Sequence, residues 1–213
     1  MSRDRSSLRL DHVIYAVGDL AAAADRLATD HGLLSVPGGR HPAWGTENRI
    51  VPMGGEYVEL VAVADPAVAA GSGFGRAVEA AAAEGDRLAG WAVATDDLDR
   101  LARRLGLDIS HGSRTRPDGA TLGWRFAGVE RALETGALPF FIQWEGEPAL
   151  HPGLGPAGHQ GRPHHVVWLE VSAPAGTLED WLGEHDLPLR VTAGEPSLAA
   201  AGISTGRDEI VLR

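Results

Sequence analysis

One order of elements occurs twice along this chain, and that repetition constrains its fold more than composition does. Residues 10–17 (Leu-Asp-His-Val-Ile-Tyr-Ala-Val) are β-branched and aromatic and read as a strand. Gly18-Asp19-Leu20 then turns into an Ala-rich helical run over residues 21–28, with Asp19 as its N-cap and Gly32 as its stop. Residues 33–36 resume an extended path, Pro37-Gly38-Gly39 breaks it, and residues 48–52 and 56–64 read as two more strands. The order is β-α-β-β-β.

The order then returns. Residues 88–95 form a strand, Asp97-Leu98 matches Asp19-Leu20, and residues 99–105 form a short amphipathic helix stopped by Gly106. Residues 107–111 are extended, and residues 121–129 and 139–145 read as strands, the last matching 56–61. Between the copies, Gly71-Ser72-Gly73 leads into a helix over 74–84 whose Phe74, Val78, Ala81 and Ala82 have ordinary helical packing spacing. A third, degenerate copy follows: a strand at 165–171, a helix at 177–182 capped by Thr177, and strands at 187–192 and 209–212.

The expected architecture is α+β. Paired βαβββ modules, about 8–64 and 88–145, are joined by a helical linker and form a half-open mixed sheet or barrel around a cleft. A Gly/Pro/His-rich linker over 146–163 leads to a C-terminal βαβ-like extension over 164–213, packed on the same domain. Pairing two half-open sheets buries apolar faces and leaves a concavity, which is where a site is expected.

Composition removes several classes of function. The 213 residues contain no Cys, which excludes disulfides, thiolate metal sites and thiol nucleophiles. The formal charge of −10 speaks against general affinity for nucleic acid or an anionic membrane surface. The polar start runs directly into a strand, and no apolar run is long enough for a membrane span, so a cytoplasmic protein is expected. Gly71-Ser72-Gly73-Phe74-Gly75 lacks the Lys of a phosphate loop, and Ser110-His111 lacks a nucleophile elbow.

The paired modules resemble the vicinal oxygen chelate superfamily, in its glyoxalase-like branch. The residues that carry the likeness are 10–17 with Asp19-Leu20, Gly38-Gly39-Arg40-His41-Pro42, Gly45-Thr46-Glu47-Asn48 and Tyr57-Val58-Glu59-Leu60. Downstream they are Pro139-Phe140-Phe141-Ile142-Gln143-Trp144 and His151-Pro152. The resemblance implies one divalent ion (Zn, Ni, Mn or Fe) in the cleft, held from the first and last strands of each module. In module one those positions are His12 and Glu59. In module two they fall on Gly90, which has no side chain to ligate, and on Gln143. His165, aligned with His12 in the third copy, is the residue that would fill the gap if the extension reached the cleft.

Each candidate also has a plain structural reading. His12 reads equally as a buried, hydrogen-bonded histidine, and Glu59 interrupts an apolar strand where an unpaired charge is costly. His41 is a candidate general base beside Glu59, with Thr46 and Asn48 as hydrogen-bonding groups toward a ligand or, equally, toward the turn itself. Trp124, Arg125 and Trp144 suit a pocket for a planar or anionic molecule, Arg125 clamping a carboxylate, while core packing claims at least one indole. Arg40 and Arg114 occupy corresponding places and suggest a repeated structural ion pair. His151, His159, His164 and His165 read as loop residues first.

Two functions follow from this reading. One is metal-assisted lyase, isomerase or dioxygenase chemistry on a small oxygenated molecule, with Glu59 or His41 moving a proton. The other is metal-free binding of a small molecule without catalysis. Both modules lie in one chain, so a monomer or a homodimer can carry the site.

Overall fold

A computed structural model describes residues 8–115, 121–159, 165–205 and 208–213, the side chains of 114 and 115 excepted. Module one comprises β1 (Arg9–Ala16), α1 (Leu20–His31), β2 (Val36–His41), β3 (Thr46–Pro52) and β4 (Tyr57–Val63). Two linking helices follow, α2 (Pro66–Gly71) and α3 (Gly73–Ala83). Module two comprises β5 (Arg87–Ala94), α4 (Leu98–Leu105), β6 (Ile109–Thr115), β7 (Thr121–Ala127), α5 (Val129–Thr135) and β8 (Phe140–Glu145).

The eight strands form one sheet in the order β2-β3-β4-β1-β5-β8-β7-β6. Within each module the first and last strands pair in parallel, and β1 meets β5 antiparallel at the join. Across that join His12 lies opposite Ala92 and Ile14 opposite Gly90. These two pairs exchange when Gly90 replaces His12 and Ala92 replaces Ile14, so the modules are related by an approximate two-fold. The helix ends repeat as well. Asp19 accepts the N–H groups of Ala21 and Ala22 at the start of α1, Asp97 accepts that of Arg100 in α4, and Gly32 and Gly106 end the two helices in the left-handed conformation.

Two boundaries differ from the sequence expectation. Pro37-Gly38-Gly39 lies within β2, which is an edge strand where proline costs no ladder bond and where the pairing with β3 is irregular. In module two, α5 stands between β7 and β8, within a stretch read from sequence as strand and connection.

The C-terminal part forms β9 (His165–Ala173), α6 (Thr177–Leu182), β10 (Leu189–Ala193), β11 (Ser197–Ser204) and β12 (Glu209–Leu212), in a second sheet ordered β10-β9-β11-β12. β9, α6 and β10 make a parallel βαβ unit. A third copy of the module is not what forms. In the modules the first strand takes the last strand as its parallel partner, whereas β9 takes β10. The cap differs too: Gly176, without a side-chain bond, precedes α6.

The second sheet packs against the eight-stranded sheet through one continuous core. Val13, Val58, Val93 and Phe141 from the large sheet join Leu169, Val171 and Ile203 from the small one, all fully buried. Each such side chain contributes on the order of 1.5–3 kcal/mol of burial. Trp181 of α6 stacks on Phe141 and donates its indole N–H to Pro139 O at 2.9 Å. The other face of the large sheet is concave. There α3 inserts Phe74 and Val78 against Ile14, Ala16 and Val61, filling one half of the trough and leaving the half around His12 and Glu59 open.

Candidate functional site

The site grows from an irregularity in β1. Strict alternation would put Asp11 and His12 on opposite faces. The pairing with β5 instead skips Asp11, so that Leu10 and Val13 face the core while Asp11 and His12 are the polar pair between them. Both are almost completely buried, at 2% and 3% exposure. His12 donates its Nδ1–H to Asp11 Oδ1 at 2.6 Å. Trp144 donates its indole N–H to Asp11 Oδ2 at 2.7 Å, and His151 Nε2–H reaches the same oxygen at 3.2 Å. The His151 tautomer follows from its other nitrogen, which accepts the Gly153 N–H at 3.1 Å. Burial pushes the Asp11 carboxyl up, but the hydrogen bonds from His12 and His151 outweigh it and hold the group well below the usual carboxylate range.

With Nδ1 committed to Asp11, His12 presents Nε2 to Glu59 Oε2 across 3.6 Å. Its ring lies flat on Tyr57, with centroids 4.5 Å apart, and meets Phe140 edge-on at 5.5 Å. Glu59 Oε1 accepts a hydrogen bond from Asn48 Nδ2 and lies 3.8 Å from His41 Nε2. His41 Nδ1 is 3.0 Å from Thr46 Oγ1. The Asn48 carbonyl accepts Gly39 N–H at 2.6 Å. A side chain at Gly38 would run into Asn48, which is why β2 carries glycine there. Thr46 and Asn48 therefore serve mainly to hold His41 and Glu59.

A cavity of about 60 Å³ opens in front of Glu59. Trp44, Tyr57, Trp124, Phe126, Phe140 and Trp144 form its aromatic walls. Trp44 is set by the turn between β2 and β3, where Gly45 adopts φ +67 and the N–H groups of Trp44 and Gly45 both bond His41 O. Two larger pockets adjoin it. One of about 580 Å³ shares Trp44 and Phe126, and one of about 680 Å³ shares Trp144.

Of the candidates from sequence, His12, His41, Asn48, Glu59, Trp124 and Trp144 line this cavity, and Thr46 supports it from behind His41. Gln143 and Arg125 do not line it. Gln143 Oε1 accepts from Leu98 N at 3.2 Å and from Arg125 Nη2 at 2.8 Å, while its Nε2 donates to Asp96 O at 3.0 Å. Arg125 also binds Asp99 Oδ2 at 2.7 Å. Both therefore serve the contact with α4, on the face away from the cavity. The reason is register: Glu59 lies opposite Ile14, and the equivalent residue opposite Ala92 is Phe140. Gln143 sits three residues further on, and an odd step along a strand changes face. His165 is exposed at the start of β9 and absent from the cavity lining. Arg40 does pair with Glu47, at 3.4 Å, while the Arg114 side chain lies outside the described residues.

The donor set does not fit the divalent-ion site that the resemblance implies. Module two offers Gly90 and the ring of Phe140 where module one offers His12 and Glu59, and Gln143 is turned away. Among the described residues, no three His, Asp or Glu side chains group as an ion would need. Sequence reasoning missed Asp11, His151 and Phe140. Only the pattern apolar-polar-polar-apolar at Leu10-Asp11-His12-Val13 hints at the irregularity, and nothing local ties His151 to Asp11.

Two βαβββ modules sharing one curved sheet around a polar and aromatic cleft define the vicinal oxygen chelate architecture. The chain belongs to the glyoxalase-like domain family, whose sequence profile matches residues 10–184. Among solved structures it is similar to a hypothetical protein from Staphylococcus aureus, with a TM-score of 0.68 at 14% identity over 97% of this chain and 99% of that one. It also matches methylmalonyl-CoA epimerase from Mycobacterium tuberculosis, with a TM-score of 0.45 at 21% identity over 66% of this chain and 89% of that one. No curated protein matches the sequence. No helix among the described residues is long and apolar enough to cross a membrane.

Proposed function

We propose that the cleft between the modules binds a small oxygenated organic molecule directly, without a bridging metal ion. The observation that carries this reading is the composition of the cavity: a polar wall of Glu59, His12 and His41 facing aromatic walls drawn from both modules. The register of module two, which replaces two ligand positions with Gly90 and Phe140, supports the metal-free form. The test is a fragment screen followed through the Trp124 and Trp144 indole NMR signals, with chelator present. Compounds that shift both signals, and no longer do so in Glu59→Gln, support the reading. No compound shifting them, or binding restored only by a divalent ion, overturns it.

A second reading, proton transfer on the bound molecule, is favoured by one further observation. Asp11 fixes His12 so that Nε2 faces Glu59 at 3.6 Å, with His41 on the other side of the same carboxylate. In this reading Glu59 removes a proton α to a carbonyl, the electron pair moves onto the carbonyl oxygen, and protonated His12 or His41 returns a proton. Solvent deuterium appearing in a bound ligand, and lost in Glu59→Gln, supports it. Absence of exchange in every ligand that binds leaves a binding protein alone.

A further inference from the structure

We infer that the ligand of this cleft is an organic cation, with a substituted ammonium head seated among the aromatic rings and Glu59 as its counter-charge. This rests on the ligand-binding reading above and specifies the charge of what is bound.

Three independent observations carry it. The first is the lining itself. Six aromatic side chains surround a cavity whose carboxylate is Glu59, flanked by the imidazoles of His12 and His41, and none of the described residues lining it is Arg. The chain contains no Lys. Ring faces attract cations through their quadrupole, an attraction that strengthens when the site is desolvated. A space of about 60 Å³ suits a head group of a few heavy atoms, with the rest of the molecule continuing into an adjoining pocket.

The second is the fate of Arg125. Arg125 is the cation that sequence places beside Trp124 and Trp144, and it is held on the opposite face by Asp99 and Gln143. Among the described residues that line the cavity, no Arg replaces it as a clamp for an organic anion.

The third is the charge of both approaches. The pocket beyond Trp44 and Phe126 carries Asp108, Glu130 and Glu134 against Arg131, which itself lies 4.0 Å from Glu134. The pocket beyond Trp144 carries Glu56, Asp96, Glu145, Glu147 and Asp186 against Arg9, which is bonded to Asp96. Acid-lined mouths raise the local concentration of cations and disfavour polyanions such as nucleotide-linked thioesters. Asp11, ionised behind His12, adds to the same field.

A matched series tests the inference: choline, its neutral carbon isostere 3,3-dimethylbutan-1-ol, and the anion 3,3-dimethylbutanoate. Binding is read by titration calorimetry and by tryptophan fluorescence on the intact chain. The expected result is choline binding about tenfold or more tighter than the neutral isostere, with the anion weakest. Glu59→Gln should abolish most of that preference, weakening choline by a larger factor than it weakens the neutral compound. Should that variant fail to fold, Trp124→Leu provides the second measurement and should weaken choline selectively. Equal or tighter binding of the neutral or anionic compound overturns the inference and leaves the ligand-binding reading standing. Failure of all three to bind also overturns it, and the fragment screen then decides separately whether the cleft binds anything.

Discussion

Glu59 and Phe140 occupy equivalent places in the two modules: each is the parallel-sheet partner of the residue two beyond the His12 or Gly90 position. The duplication thus preserved the backbone while dividing the chemistry, with the polar groups kept in module one and a wall of rings supplied by module two. His12 and Phe140, edge to face at 5.5 Å, are where the two halves meet.

Asp11 should be the most sensitive polar position in the cleft. Asp11→Asn retains the shape but loses the charge that accepts from His12, His151 and Trp144. It should cost about 2–4 kcal/mol in urea unfolding at neutral pH. The folded group lies below its unfolded value, so its contribution is complete above the unfolded value and is lost as pH falls. The gap between wild type and variant should therefore narrow below about pH 4.

Gln143 and Glu59 separate structure from binding. Gln143→Ala removes the side-chain acceptor for Leu98 N–H and a partner of Arg125, so stability should fall by about 1–2 kcal/mol. Ligand binding should stay within about twofold of wild type, since Gln143 faces α4 rather than the cavity. Paired calorimetry and denaturation on the same preparation check both outcomes.

Gly38→Ala tests how Asn48 is held. The added methyl group displaces the Asn48 side chain, which donates to Glu59 and accepts from Gly39. A loss of about 1–3 kcal/mol is expected from the forced shift, together with weakened ligand binding. Unchanged affinity in a folded variant would show that Asn48 does not position Glu59.

Glu56 connects the turn before β4 to the second sheet by accepting Val166 N–H at 2.8 Å. Burial raises its carboxyl above the ordinary value despite that hydrogen bond. The folded group therefore favours the proton, and ionising it at neutral pH costs stability. Glu56→Gln, which keeps an acceptor, should melt higher than wild type near pH 7, with the difference vanishing at acidic pH. Scanning calorimetry across that range checks the sign.

The repeat was legible because its marks are local. Asp19 with Gly32 and Asp97 with Gly106 start and stop equivalent helices, and β-branched runs flank them. α5 was not legible, and neither was the register of β8, whose pairing with β5 makes Phe140 rather than Gln143 the equivalent of Glu59. β11, an Ala-rich strand, lacks the alternation that marks a strand facing solvent, because four of its residues are buried in succession.

The sequence by itself determined two modules, the helix ends, and the presence of His12, Asn48 and Glu59 on strands of the first module, with His41 in the polar stretch before Asn48. Those follow from interactions within a few residues: caps, turns and side-chain period. The tertiary structure alone decided which face each polar residue takes. The irregularity at Asp11 turns it in with His12, and an odd step along β8 turns Gln143 out. It also decided the long-range partners, His151 and Trp144 on Asp11, which no local pattern encodes. A strand's period fixes that neighbours alternate; pairing across the sheet fixes which of the two faces the cleft.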